Sequence, residues 1–191
     1  MKRVKSSRQL CCSLLLGSAF SMACVAGASA AVQTFLKFPG VTGDSVVKGH
    51  EGDVEFDDMS ANASRILSNP EAGRGAGAGK VVCGQITMSK RVDTSSPQFL
   101  GLLFSGQTTT GPAKITVEKK GETPVEYYKI ELGQVSILSI AQSVADGDEN
   151  VKETIILKAN QYRYTYTPQT DKGIPGKPVV FGWDCVTNKP F

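Results

Sequence analysis

The chain has 191 residues, 40% hydrophobic and 20% charged, with 21 Lys and Arg against 18 Asp and Glu, a formal charge of +3. At roughly 100–200 residues per domain this is the length of one domain, and the composition excludes wholesale disorder and a polytopic membrane protein. A basic excess points to nucleic acid or anionic lipid only if the cations line a working surface, so their position decides their meaning.

Four of those cations, Lys2, Arg3, Lys5 and Arg8, precede an uncharged stretch over residues 10–30, LCCSLLLGSAFSMACVAGASA. A basic head, a short apolar run and small side chains at Ala28 and Ala30 form the layout of a cleaved secretory signal peptide, with cleavage predicted between Ala30 and Ala31. The strongly apolar part spans only residues 10–25 and is interrupted by Ser and Gly, short of the ~20 residues a membrane-spanning helix needs. Two other readings stay open: a lipoprotein at Cys24, whose box carries Ser21 where an aliphatic residue belongs, and a start at Met22.

Taking thirty residues from 191 leaves 161, and taking four cations from 21 leaves 17 against 18 acidic residues, a net −1. The mature chain is therefore expected in the periplasm or outside the cell, with no nucleic-acid partner and, after cleavage, no membrane. Cleavage also removes Cys11, Cys12 and Cys24, leaving Cys83 and Cys185. In an oxidising compartment these are a candidate disulfide, with two buried free thiols as the alternative. Two Cys and the single His50 leave a tetrahedral zinc site one ligand short, so no metal and no cofactor are expected.

In chain order, QTFLKF (33–38) is a short strand stopped by Pro39-Gly40, and GDVEF (52–56) alternates weakly. Residues 57–80 lose the pattern, and residues 72–79 are Ala and Gly apart from Arg74. That composition predicts an extended loop over 57–80. VVCGQITMSK (81–90) is the next strand. Ser96 as N-cap, Pro97 at the first helical position and Gly106 after the last turn then bracket one short helix. Its Phe99, Leu102 and Leu103, with Phe104 at the margin, make the face that packs on a sheet. KITVEK (114–119) and VEYYKIEL (125–132) form a hairpin, followed by QVSILSIAQS (134–143) and KETIILKA (152–159). QYRYTYT (161–167) sets Tyr162, Tyr164 and Tyr166 on one face, and VVFGW (179–183) is the last strand. Short strands, regular turns and one helix predict an all-β barrel or sandwich.

Catalytic signals are weak. His50 lies in the polar KGHEGD (48–53) and reads as an exposed loop histidine; no Gly-x-Ser-x-Gly elbow or His-Glu-x-x-His pair accompanies it. The run at 73–80 misses the phosphate-loop pattern, with Arg74 in a glycine position and Val81 after Lys80. Asp146, Asp148 and Asn150 start like a calcium loop, but Val151 and Leu157 stand where Gly and Glu are required. The tyrosine stripe suits a core or a subunit interface better than a stacking platform. No enzymatic activity is expected.

Segments FLKFPGVTGDS (35–45), KGHEGDVEF (48–56), MSKRVDTSSPQFLGLLFSGQ (88–107), KITVEKKGETPVEYYKIELGQVSILS (114–139) and ENVKETIILKANQYRYTYTPQTDKGIPGKPVVFGWD (149–184) occur in an order that resembles the haemolysin-coregulated protein (Hcp) family of bacterial type VI secretion systems. The resemblance implies a β-barrel of two sheets with one flanking helix, assembling as a homohexameric ring. Rings of the family stack into a tube that a contractile sheath propels behind a spike, with effector cargo in the lumen. It implies no catalytic residues, and it sets the 57–80 segment where a family loop reaches the adjacent ring. The alternative function is an exported Hcp-fold binding or adhesion protein, independent of a secretion machine.

Overall fold

The structure, a computed structural model, describes residues 31–66, 80–121, 124–170 and 173–191. The expectations for residues 1–30 and for the Gly/Ala run within 67–79 lie outside the described residues.

Strand β1 (Val32–Lys37) pairs antiparallel with β2 (Val54–Phe56) on one side and β5 (Ala113–Lys119) on the other. Two long strands, β6 (Val125–Ser143) and β7 (Lys152–Tyr166), run the length of the molecule. β3 (Asp58–Arg65) and β4 (Val81–Arg91) follow on the far side of β7, giving the path β2-β1-β5-β6-β7-β4-β3. β8 (Val179–Asp184) pairs with β7 and carries the two-residue β9 (Lys189–Pro190).

This single path is two sheets sharing β6 and β7. The first half of β6 pairs with β5 and with the second half of β7, Leu132 facing Tyr162, and that half of β7 also holds β8. The second half of β6 pairs with the first half of β7, Ile140 facing Ile155, and β4 joins there. The change of partner falls at Gln134, whose φ of 53° is the left-handed region, and the Asn160 side-chain N–H₂ donates to the Gln134 Oε1 at 2.8 Å across the bend. A register shift between Ile137 and Ser139 bends β6 further. The sequence predicts four separate strands here; pairing across the bends makes them two.

The ends of the path, β2 and β3, are consecutive in sequence. They meet at Asp57, whose N–H donates to the Ser89 carbonyl at 2.9 Å. The sheet thus curls until its edges touch without a closed ladder of pairs. The all-β architecture with one short helix matches the expectation.

Inside lie Leu36, Val54, Phe56, Ile86, Met88, Ile115, Ile130, Leu132, Val135, Ile155 and Leu157, the inward positions of alternating strands. Each fully buried side chain of this size contributes about 1.5–3 kcal/mol. Helix α1 (Ser95–Ser105) adds Phe99, edge-on to Phe38 at 5.3 Å. Gly106 ends it in the left-handed conformation, φ 64°, its N–H donating to the Leu103 carbonyl.

Four expectations are corrected. Residues 58–65 are not loop but strand β3: its exposed, polar side chains hide a strand that backbone pairing with β4 creates. The helix begins at Ser95 after Thr94 as N-cap, and the Asp93 carboxylate just ahead of it accepts the Ser95 N–H at 2.8 Å; Ser96 is buried instead and serves Lys90. Phe104 leaves the packed face, at 83% exposure. His50 is not exposed but 4% accessible, stacked on Phe35 with ring centroids 4.0 Å apart.

Candidate assembly surface

Strand β8 is the most apolar exposed part of the described molecule. β9 meets it only at Trp183 and Asp184, so Val179, Val180 and Phe181 keep an outer edge with no strand partner among the described residues. All three are exposed, at 66%, 57% and 55%, although alternation in a single strand turns them to opposite faces. Tyr166, opposite Val179, extends the patch. An unpaired apolar edge is a template for another chain, and monomeric proteins normally blunt such edges with charge, proline or a cover. β3, one end of the strand path, is a further edge with no second strand partner among the described residues, and it is polar. The sequence signals β8 only as a VVF run, which composition alone would bury.

The turn after β8 is held by Asp184. Its Oδ1 accepts the N–H groups of Val186 at 2.9 Å and Thr187 at 2.8 Å, and its Oδ2 accepts the Gln161 side-chain N–H at 2.8 Å. The backbone N–H of Thr187 and the Gln161 donor keep this carboxyl below its ordinary value. Cys185 follows, its N–H donating to the Asn160 carbonyl at 2.8 Å. The structure places its sulfur against that of Cys83 on β4 in a disulfide arrangement, Cα atoms 6.1 Å apart, within the span a bridge tolerates. β4 and β8 do not pair with each other: they flank β7 at different halves and diverge near Asn160. The cysteines face one another across that fork. Two further ties cross it, Tyr162 Oη donating to the Gly84 carbonyl at 2.9 Å and the Val81 N–H donating to the Asn188 Oδ1 at 3.1 Å.

Within the fork, an open cleft of about 170 Å³ lies between β7–β8 and the ends of β3 and β4. One wall is aromatic: Tyr162 faces Trp183 and Tyr164 faces Phe181 across the strands. Gly84 forms part of the other, because a side chain there would collide with Asn62. The indole N–H of Trp183 is buried with no hydrogen-bond partner among the described residues. Burial, then the neighbouring Tyr128 and Tyr162 hydroxyls, push the Tyr164 phenol up to about 12.

Two buried ionic groups brace the fold. His50 Nδ1 lies 2.9 Å from Asp53 Oδ2, and Nε2 lies 3.5 Å from Glu118 Oε2, tying the loop before β2 to β5. Lys90 Nζ donates to Asp93 Oδ1 at 2.6 Å, Ser96 Oγ at 2.9 Å and the Arg91 carbonyl at 2.9 Å, and lies 3.9 Å from Glu153 Oε2. Burial raises the Asp93 carboxyl, but hydrogen bonds from Lys90 and Ser95 and the Lys90 charge outweigh it, and the net shift is downward. Ala31 precedes β1, its carbonyl accepting the Lys120 N–H at 2.8 Å; Ala30 lies outside the described residues. The described part of Asp146–Asn150 forms a turn between β6 and β7, with no metal-holding group among the described residues.

Known proteins share this fold. Residues 35–166 match the family model described as type VI secretion system effector, Hcp. Protein hcp1 of Pseudomonas aeruginosa is 32% identical over 160 residues, covering 83% of this chain and 98% of that one. A solved type six secretion system protein superposes with a TM-score of 0.78 at 21% identity, over 84% of this chain and 100% of that one. Hcp1 from Salmonella typhimurium does so at 0.67 and 22%, over 84% and 99%. The family match, spanning most of the chain, and the relative covered nearly end to end agree with the fold, and the chain belongs to the Hcp family of type VI secretion effectors.

Proposed function

We propose that this chain is a secreted structural subunit whose copies close into a hexameric ring, with rings stacking into the tube of a type VI secretion system. Family membership carries the reading, and the unpaired apolar edge of β8 supplies a physical means of assembly. A ring of more than two members needs heterologous contacts, in which one surface patch meets a different one on the next copy. β8 and β3 are free edges of contrasting chemistry, apolar and polar, and so can serve as the two halves. The work is mechanical, carried by the bore and the contacts, with sheath, spike and effector cargo as partners.

The leader at residues 1–30 takes the chain through the general export route, with cleavage between Ala30 and Ala31, and oxidation outside the cytoplasm joins Cys83 to Cys185. Light scattering of the chain starting at Ala31 is expected to give six times the monomer mass; monomer alone at high concentration overturns the ring. Fractionation with N-terminal sequencing tests export: a start at Ala31 in periplasm or medium is expected, and a retained Met1 overturns it. Appearance in the medium only when the secretion apparatus is intact separates service in the machine from independent exported binding.

A further inference from the structure

The fork between β4 and β8 is lined on one side by four aromatic rings, those of Tyr162, Tyr164, Phe181 and Trp183, and encloses about 170 Å³. A dry engineered cavity of about 150 Å³ accepts benzene, so the recess has room for one aromatic ring with little to spare. Arg65, at the end of β3, is the one charged residue in its lining. It is exposed and has no acidic partner among the described residues. Among the described residues no carboxylate lines the cleft to neutralise it. A flat apolar wall beside an uncompensated guanidinium selects a ligand with a planar apolar body and one negative group. The body stacks on the rings and the guanidinium takes the acid through charge-assisted hydrogen bonds.

We infer that this cleft is a binding site for a small aromatic monocarboxylate; the inference does not rest on ring assembly, although Arg65 and Phe181 lie on β3 and β8, the edges proposed to join the ring. A positively charged or polar ligand meets the wrong wall, and a long chain exceeds the volume.

Trp183 is the protein's single tryptophan and sits in the cleft wall, so its emission reports occupancy directly. The test titrates the purified protein with 3-phenylpropanoate, and with 3-phenylpropanol as the uncharged counterpart, while following Trp183 fluorescence. A saturable change with the acid at submillimolar concentration is expected, weaker by about tenfold or more with the alcohol. Arg65→Gln, at an exposed position, is expected to reduce affinity for the acid about tenfold and leave that for the alcohol unchanged. Phe181→Ala should weaken both. No response to the acid up to millimolar concentration overturns the inference, as does equal binding of acid and alcohol. A Trp183 spectrum that shifts with protein concentration alone, with no response to the acid in the assembled state, also overturns it and assigns the cleft to a second copy. Because the spectrum and the mass are measured separately, failure here leaves the ring untouched.

Discussion

Lys90 shows how much of this fold rests on single buried charges. Its ammonium is the common partner of Asp93, Ser96 and the Arg91 carbonyl, and Glu153, fully buried, has it as its nearest cation. Removing one member of a buried ionic set strands the others, so Lys90→Met is expected to destabilise the fold by about 3–5 kcal/mol, read from the urea midpoint. Asp93 carries the pH dependence of the same contact. Its carboxyl titrates lower in the folded chain than the ordinary 3.8, so it contributes stability above that value and loses it as pH falls through the lower folded value. Asp93→Asn is expected to lower stability at neutral pH and to flatten the acid limb of a plot of urea midpoint against pH; an unchanged limb would place the acid sensitivity elsewhere. The histidine was legible only as a lone polar residue. That it stacks on Phe35 between Asp53 and Glu118 depends on β1 and β5 lying side by side, and His50 and Glu118, 68 positions apart, give no local sign of that.

Among the elements, β8 concentrates the exposed apolar surface, and its three residues are the place to separate assembly from folding. Phe181→Asp puts a charge on the free edge, at an exposed residue that is not itself part of the buried core. It is expected to reduce the assembled fraction at least tenfold while leaving the thermal midpoint of the monomer within a few degrees, measured by light scattering and calorimetry. Strands with one buried face, such as β5 and β7, were legible because their apolar residues alternate. β3 was not, since a strand exposed on both faces carries no such pattern and exists through pairing with β4. The sequence pattern breaks at Gly133 and Asn160 into separate strands; these are bends inside continuous strands, because the β6–β7 pairing resumes on both sides of them. In α1, Gly106 marked the end correctly, and Ser96-Pro97 placed the start two residues late, because the Asp93 carboxylate takes the Ser95 N–H and Ser96 turns inward to Lys90.

Over the whole molecule, the pair Cys83 and Cys185 spans 102 residues of sequence across the fork between the two sheets. In the chain-entropy model, a loop of about a hundred residues restrains the unfolded chain by about 4–5 kcal/mol. Reduction, or Cys185→Ser, is therefore expected to lower the urea midpoint markedly, and free-thiol labelling of the native protein should find no reactive cysteine before reduction. Stoichiometric labelling without reductant would sink the bridge. The formal +3 belongs to the whole chain and falls to −1 once four leading cations are set aside; the proposed cleavage would leave a near-neutral chain, in which contact between like subunits meets little charge repulsion.

The sequence by itself determined the fold class, most strand positions, the helix end, the cysteine pair as a candidate and the family. These follow from alternation, turn residues and segment order, which are local or nearly so. Tertiary structure alone decided which face of β8 stays bare, where the sheets part, that His50 and Lys90 are buried, and that four aromatic rings and Arg65 surround one cleft. Each of those depends on strands distant in sequence meeting in a particular register, and side-chain burial is a property of the neighbours a residue acquires, not of the residue.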